Sequence, residues 1–369
     1  MTIIILWNIW FNLEGNMAIL KNEFKTFYND EVKYDGNREI REKKKKLKED
    51  FKSKFPEKFE EKYDEDINVS EIRFIDQGSY SINTTINHGD TAFDIDVATI
   101  INLDINRYDA LEIKKIVRDS LKNTNREPKI KEPCVTVKYT KAGEEKYHID
   151  FPVYANCSDK LYLARGKEYG NDEDIKWEIA DPEGLSEYFR RDNLQIDGLD
   201  LNDDEKEERK QKRRIIRYIK WWKAEKYGTS RRDHSIPPSI ALTLLVCENF
   251  KSIKVDNEYN DLKSLYETVK NITGKLFEKT FDDEGKEIII LNKCNLPKDP
   301  GSDCFFKIRN SYSYIKTFYT RWTTFELNLK KAVEESDERA AGEILVKVFG
   351  DKFPLPEVDE VNSEDSFAK

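Results

Sequence analysis

Apolar residues in the first half of this chain change their spacing several times. Over residues 17–65 they recur at helical intervals among many Lys and Glu, interrupted near "YDGN". Residues 70–77, "SEIRFIDQ", predict a strand, and residues 92–103, "AFDIDVATIINL", predict a second one rich in β-branched residues. Helical spacing returns over residues 108–123. Strands resume at "CVTVKYT" and "EKYHIDFPVYA", with "KAG" as the turn between them. Residues 195–215 are then almost wholly polar; Asp203 and Asp204 suit a helix start with basic residues following. Beyond them, "RRIIRYIKWWKAEKY" reads as an amphipathic helix. "PPSIALTLLVCENF" reads as a buried helix opened by prolines, and residues 258–273 and 310–347 as further helices. The pattern predicts an α+β region over residues 17–200, an all-helical region over 201–350 and a mobile acidic tail over 351–369.

Composition narrows the class. The 369 residues suit one large or two moderate domains, and 37% are charged against 38% hydrophobic. Phe and Tyr are plentiful, so a packed core under a charged surface is expected. The net charge of -9 argues against a protein that coats duplex nucleic acid, while leaving room for a local basic pocket. In "EERKQKRRIIR" acids precede and interleave with the bases, which favours a solvated helix face over a nucleic-acid stripe. The five cysteines are scattered and odd in number, which points to reduced thiols, a cytoplasmic location and no structural zinc. The apolar start "MTIIILWNIWF" is too short for a membrane span and lacks signal-peptide features, so no membrane association is expected. Met17 opens an ordinary amphipathic stretch and is the expected native start, with residues 1–16 as an upstream extension.

The candidate chemistry lies between residues 75 and 155. On a strand, Asp94 and Asp96 would share one face, with Ile95 and Val97 packing on the other. Two adjacent carboxylates repel unless protons or a cation neutralise them, and a hard divalent ion is the natural partner. Asp150, in an apolar strand beside His148, offers a third carboxylate. Ions held by all three could activate a hydroxyl and stabilise a leaving oxygen. Gly78 and Ser79 precede this group; Gly78 would let the backbone approach a phosphate, and Ser79 adds a hydroxyl. Each feature alone is common, and the ordered set is far more specific. Tyr80 and Tyr154 are candidates for base stacking, Trp221 and Trp222 for core or pocket wall, and His148 for packing near the site.

These residues carry a resemblance. "QGSYSINTTI" followed by "FDIDVATI" resembles the signature of the polymerase-β-like nucleotidyltransferases. "YHIDFPVYA", "IIRYIKWWKAE", "PPSIALTLLVC" and "VFGDKFPLP" resemble one branch, the bacterial cGAS/DncV-like nucleotidyltransferases (CD-NTases), over residues 71–356. The resemblance implies a polymerase-β-like core with a mixed β-sheet, followed by an all-helical domain. It implies a cyclic di- or oligonucleotide synthase that joins nucleoside triphosphates, ATP and GTP favoured, in anti-phage (CBASS) defence. It makes Asp94, Asp96 and Asp150 catalytic metal ligands for Mg²⁺, with Mn²⁺ as the alternative. Gln77, Gly78, Ser79, Lys220 and Ser239 become nucleotide contacts. It implies no obligatory nucleic-acid activator, and it makes the tail ending in "DSFAK" a candidate attachment for regulatory proteins of a defence operon. The rival readings are transfer to an RNA end, protein or small molecule, and a catalytically silent nucleotide-binding scaffold.

Overall fold

The computed structural model describes residues 20–34, 38–89, 93–141, 144–228, 234–297 and 299–357. The expected extension over 1–16, the Met17 start, Ala142 and Gly143 of the expected turn, and the tail beyond 357 lie outside the described residues. The chain forms two compact units. One takes Tyr34–Arg209 with Asn295–Cys304; the other takes the described residues of Met1–Lys33, Lys210–Cys294 and Phe305–Lys369.

Helix α1 (Lys21–Thr26), continued by a π-helical turn over Phe27–Val32, belongs to the second unit. Its sequence pattern runs on into the strands that follow, but its rings decide otherwise. Phe24 and Phe27 pack edge-on, tilted or stacked against Tyr218, Phe349 and Phe353.

The first unit is a sheet with helices on one face. Helix α2 (Arg38–Tyr63) places Ile40, Leu47, Phe51, Phe55 and Phe59 on one stripe, all buried. Strand β1 (Arg73–Gln77) runs into a one-turn helix α3 (Gly78–Ser81), and strand β2 (Phe93–Asn102) follows. Helix α4 (Ala110–Leu121) is capped by Asp109, which accepts from the Leu111 and Glu112 amides. Then come β3 (Lys129–Ile130), β4 (Val135–Lys141), β5 (Glu144–Phe151), β6 (Val153–Cys157), β7 (Lys160–Arg165), β8 (Lys176–Ala180) and α5 (Pro182–Glu187).

The sheet order is β3-β4-β5-β2-β6-β7-β8, with β1 antiparallel to β2. The expected single strand "EKYHIDFPVYA" is two strands divided at Pro152, both parallel to β2. Proline has no amide to donate, but its carbonyl accepts from Thr99 N at 2.9 Å and keeps the ladder in register. On β2, Ile95, Val97 and Ile101 join the core beneath α2 and α4. Ala98 and Ile100 face the other way and cluster with Tyr154. The period of two thus assigns positions 94 and 96 to the face opposite the helices. On β5, Ile149 and Phe151 enter the core, which assigns His148 and Asp150 to that same face opposite the helices.

The second unit is helical apart from two hairpins that the pattern did not predict. Helix α6 (Asp203–Tyr227) opens with Asp203, Asp204 and Glu205 in its first turn, and α7 (Ser239–Asn249) follows Pro238. The hairpins are β9 (Lys254–Val255) with β10 (Glu258–Tyr259), and β11 (Phe277–Phe281) with β12 (Glu287–Leu291). Helix α8 (Asp261–Leu276) lies between them; α9 (Phe306–Arg309), α10 (Tyr312–Glu334) and α11 (Glu338–Phe349) follow. The stretch expected as one helix over 310–347 breaks at residues 335–337, where Asp337 caps α11 through Ala340 N at 2.6 Å. Among the described residues no helix is long and apolar enough to cross a membrane.

Candidate active site

The carboxylates meet through strand register. Asp94 pairs with His148 and Asp96 with Asp150 across the parallel β2–β5 ladder, and Gln77 pairs with Asp96 across β1–β2. Gln77, Asp96 and Asp150 therefore form one row over three strands, with position 94 in the adjacent row. The Asp94 side chain lies outside the described residues. Among the described residues no group of three or more His, Cys, Asp or Glu forms a metal cluster, and that set does not include the Asp94 carboxylate.

Gly78 sits where β1 turns into α3, with φ +67. A Cβ there would overlap Asp96 Oδ2 and lie 3.1 Å from its Cγ. The close approach that this glycine permits is to a carboxylate of the chain itself, as well as the left-handed turn. Ser79 follows, half-buried, with its Oγ 3.0 Å from Thr85 Oγ1. Its carbonyl accepts from Thr84 N at 2.9 Å, so the hydroxyl is held by a closed loop over residues 79–85.

Asp150 is buried, and its two oxygens differ. Oδ2 lies 3.5 Å from Lys131 Nζ and 3.7 Å from His148 Nε2. Oδ1 is buried with no hydrogen-bond partner among the described residues. A buried carboxylate oxygen left so calls for a cation or a proton. The Asp150 charge also reaches Cys134, whose thiol is pushed up to about 12, first by burial and then by that carboxylate. An orphaned carboxylate oxygen in a row of acids fits a hard divalent ion. Asp94, Asp96 and Asp150 are the residues that would hold it.

Of the two tyrosines proposed for stacking, Tyr154 is buried with Ala98 and Ile100 and does not present its ring. Its phenol is pushed up to about 12 by burial, against a lowering hydrogen bond with Gln77. Tyr80 is half-buried beneath Lys44, whose Nζ is 5.0 Å from the ring centre. Lys44 and Lys48 both reach Asp76 on β1.

The remaining candidates lie in the helical unit. Lys220 on α6 is buried, and burial pushes it down to about 7, helped by Lys223 and Arg217. Lys223 Nζ donates to Ser239 Oγ at the start of α7, at 2.9 Å. Lys223 lies one turn beyond Lys220 on α6, so the lysine that meets Ser239 is Lys223. Trp221 and Trp222 are core: the Trp221 indole donates to Phe349 O, and Trp222 stacks on Phe325 at 4.6 Å. Part of the basic run turns inward. Arg209 donates to the Arg191 and Gln195 carbonyls, and Arg214 grips Asp261 at 2.6 and 2.9 Å. The expected solvated face is therefore solvated only in part, since Arg209 and Arg214 are held by groups of the chain.

Comparison with known proteins finds a likeness for this segment and for the fold. Residues 72–154 match the family described as cyclic GMP-AMP synthase DncV-like, nucleotidyltransferase domain. No curated protein sequence matches the chain. Among solved structures, Vibrio cholerae DncV cyclic AMP-GMP synthase in complex with the linear intermediate 5' pppA(3',5')pG aligns with a TM-score of 0.63 at 16% identity, over 93% of this chain and 100% of that one. The same enzyme with nonhydrolyzable GTP aligns at 0.62 and 16% identity, over 92% and 97%. At such identity the likeness is one of fold: a mixed-sheet polymerase-β-like core with a helical domain. The family match falls on the segment that carries Gly78, Ser79 and all three aspartates. Residues 72–154 thus match a DncV-like nucleotidyltransferase domain, and the protein is a nucleotidyltransferase with a polymerase-β-like fold.

Proposed function

We propose that this protein is a cyclic di- or oligonucleotide synthase. It would join ribonucleoside triphosphates, ATP and GTP favoured, with release of pyrophosphate, as a second-messenger source in anti-phage (CBASS) defence. The observation that carries the reading is the row Gln77–Asp96–Asp150 with Gly78 and Ser79 at its end, inside the segment that matches the family. Ser79 would donate its hydroxyl to the triphosphate, and Gln77 would border the nucleotide. Lys220 and Ser239 are proposed as phosphate contacts supplied by the helical unit. Mg²⁺, or Mn²⁺, held by Asp94, Asp96 and Asp150 would shield the phosphate charge and acidify the attacking hydroxyl. The Asp150 carboxylate would orient that ribose hydroxyl and accept its proton. The hydroxyl oxygen bonds to the α-phosphorus as the bond to pyrophosphate breaks. A second such step within the linear product closes the ring. Positioning would supply most of the acceleration, since no side-chain nucleophile is needed.

The test uses purified protein, four labelled ribonucleoside triphosphates and Mg²⁺, with no acceptor. A phosphatase-resistant cyclic product, resolved by chromatography and mass spectrometry, is expected. Products that form only with an added acceptor would replace the proposal by nucleotide transfer to that acceptor.

A further inference from the structure

Lys114 is an odd residue for the inner face of α4. It is fully buried between Ile113 and Ile116. Its ammonium donates to three backbone carbonyls: Lys131 at 2.6 Å, Glu132 at 2.8 Å and Gly166 at 2.7 Å. Those bonds use all three donors of an ammonium group. Two of the carbonyls belong to the tight turn joining β3 to β4, which Lys131 N also closes onto Cys134 O at 2.9 Å. The turn is therefore pinned from below by a buried cation and closed from within. From it Lys131 extends its partly exposed side chain to Asp150 Oδ2. A flexible lysine has been given a fixed root beside a carboxylate of the candidate site.

We infer that Lys131 is a resident counter-cation of Asp150, which keeps the acidic row from taking up a divalent ion until a nucleotide triphosphate arrives. This rests on the reading of Asp150 as a metal ligand. The ammonium reaches Oδ2 while Oδ1 is buried with no hydrogen-bond partner among the described residues, so Lys131 screens one of Asp150's oxygens and not the other. At 3.5 Å the contact is long enough for the ammonium to swing away to a nearby phosphate, which offers more negative charge. Metal and triphosphate would then bind together, and the empty enzyme would not fill with ions that its substrate must displace. Lys131 is thus a positioning residue that acts through Asp150, and Lys114 fixes where it stands.

The experiment measures Mn²⁺ binding to nucleotide-free protein by loss of the free-ion paramagnetic resonance signal. Lys131→Met and Lys131→Gln are expected to bind Mn²⁺ about tenfold more tightly than the unaltered protein, since a unit positive charge near the ion is removed. Lys131→Arg should restore the original affinity. With a nonhydrolysable triphosphate bound, the difference between Lys131→Met and the unaltered protein should fall to about twofold or less. Unchanged or weaker Mn²⁺ binding by both neutral variants would overturn the inference. Asp150→Asn separates the two readings. If it binds Mn²⁺ as the unaltered protein does, Asp150 holds no metal and the site reading itself fails.

Discussion

The two regions that carry the candidate chemistry hold opposite charges by opposite means. In the sheet unit, acids stand in a row set by strand register, on the face that α2 and α4 leave uncovered. In the helical unit, Arg217, Lys220 and Lys223 follow one another at helical spacing on α6, and Lys220 is buried. A strand face sets residues two apart side by side, so acids there repel one another and attract a cation. A buried helix face desolvates its lysine, and the lysine answers by giving up its proton more readily. The two regions thus gather charge of opposite sign, the acids by strand register and the bases by helical spacing.

The largest effect expected is on catalysis. Asp94→Asn with Asp96→Asn should lower product formation by roughly 10³-fold or more while leaving a cooperatively folded protein, as read by circular dichroism. Retained activity would break the sheet half of the comparison. Gly78→Ala should come next. It forces a methyl onto the Asp96 carboxylate at a left-handed φ, costing on the order of 1–3 kcal/mol in thermal unfolding and lowering activity.

Two lysines then sharpen the contrast. Lys114→Met should destabilise the protein by about 3–5 kcal/mol, because three carbonyls lose a charged donor. Lys220→Met should leave stability equal or higher and instead raise the KM for nucleotide about tenfold, since it removes a poorly solvated charge but also a phosphate contact. A loss of stability as large as that of Lys114→Met would show Lys220 to be a structural pin of the same kind.

The smallest effect is in pH dependence. Burial lowers Lys220 from 10.5 to about 7. Between those values the unfolded chain holds a proton that the folded one has released. Its contribution to stability therefore rises as pH climbs from 7 toward 10.5 and is lost as pH falls through 7. A phosphate bound at Lys220 would reverse this by favouring the ammonium. Triphosphate binding at pH 8 should take up a proton, measurable by calorimetry in buffers of different ionisation enthalpy, and Lys220→Met should abolish that uptake.

Much of this was legible in the chain. Alternation around Asp94 and Asp96 predicted a strand with one packed and one polar face, and an isolated acid in "HIDF" marked the neighbour. Helical spacing found α2, α4 and α6, and a nearly all-apolar run opened by prolines found α7. The hairpins β9–β10 and β11–β12 escaped because their runs are short and sit beside strong helical patterns. Pro152 was visible, but whether it ended a strand or interrupted one depended on Thr99 across the ladder.

What the sequence determined by itself is whatever repeats with a local period: the faces of strands and helices, and hence which residue types share a face. What only the tertiary structure decided is which faces meet and at what register. The pairing of Asp96 with Asp150, the reason for glycine at 78, the three carbonyls around Lys114 and the reach of Lys131 all join residues far apart in the chain. No periodicity encodes such contacts, because they arise from packing that minimises exposed apolar surface and unpaired polar groups over the whole unit at once.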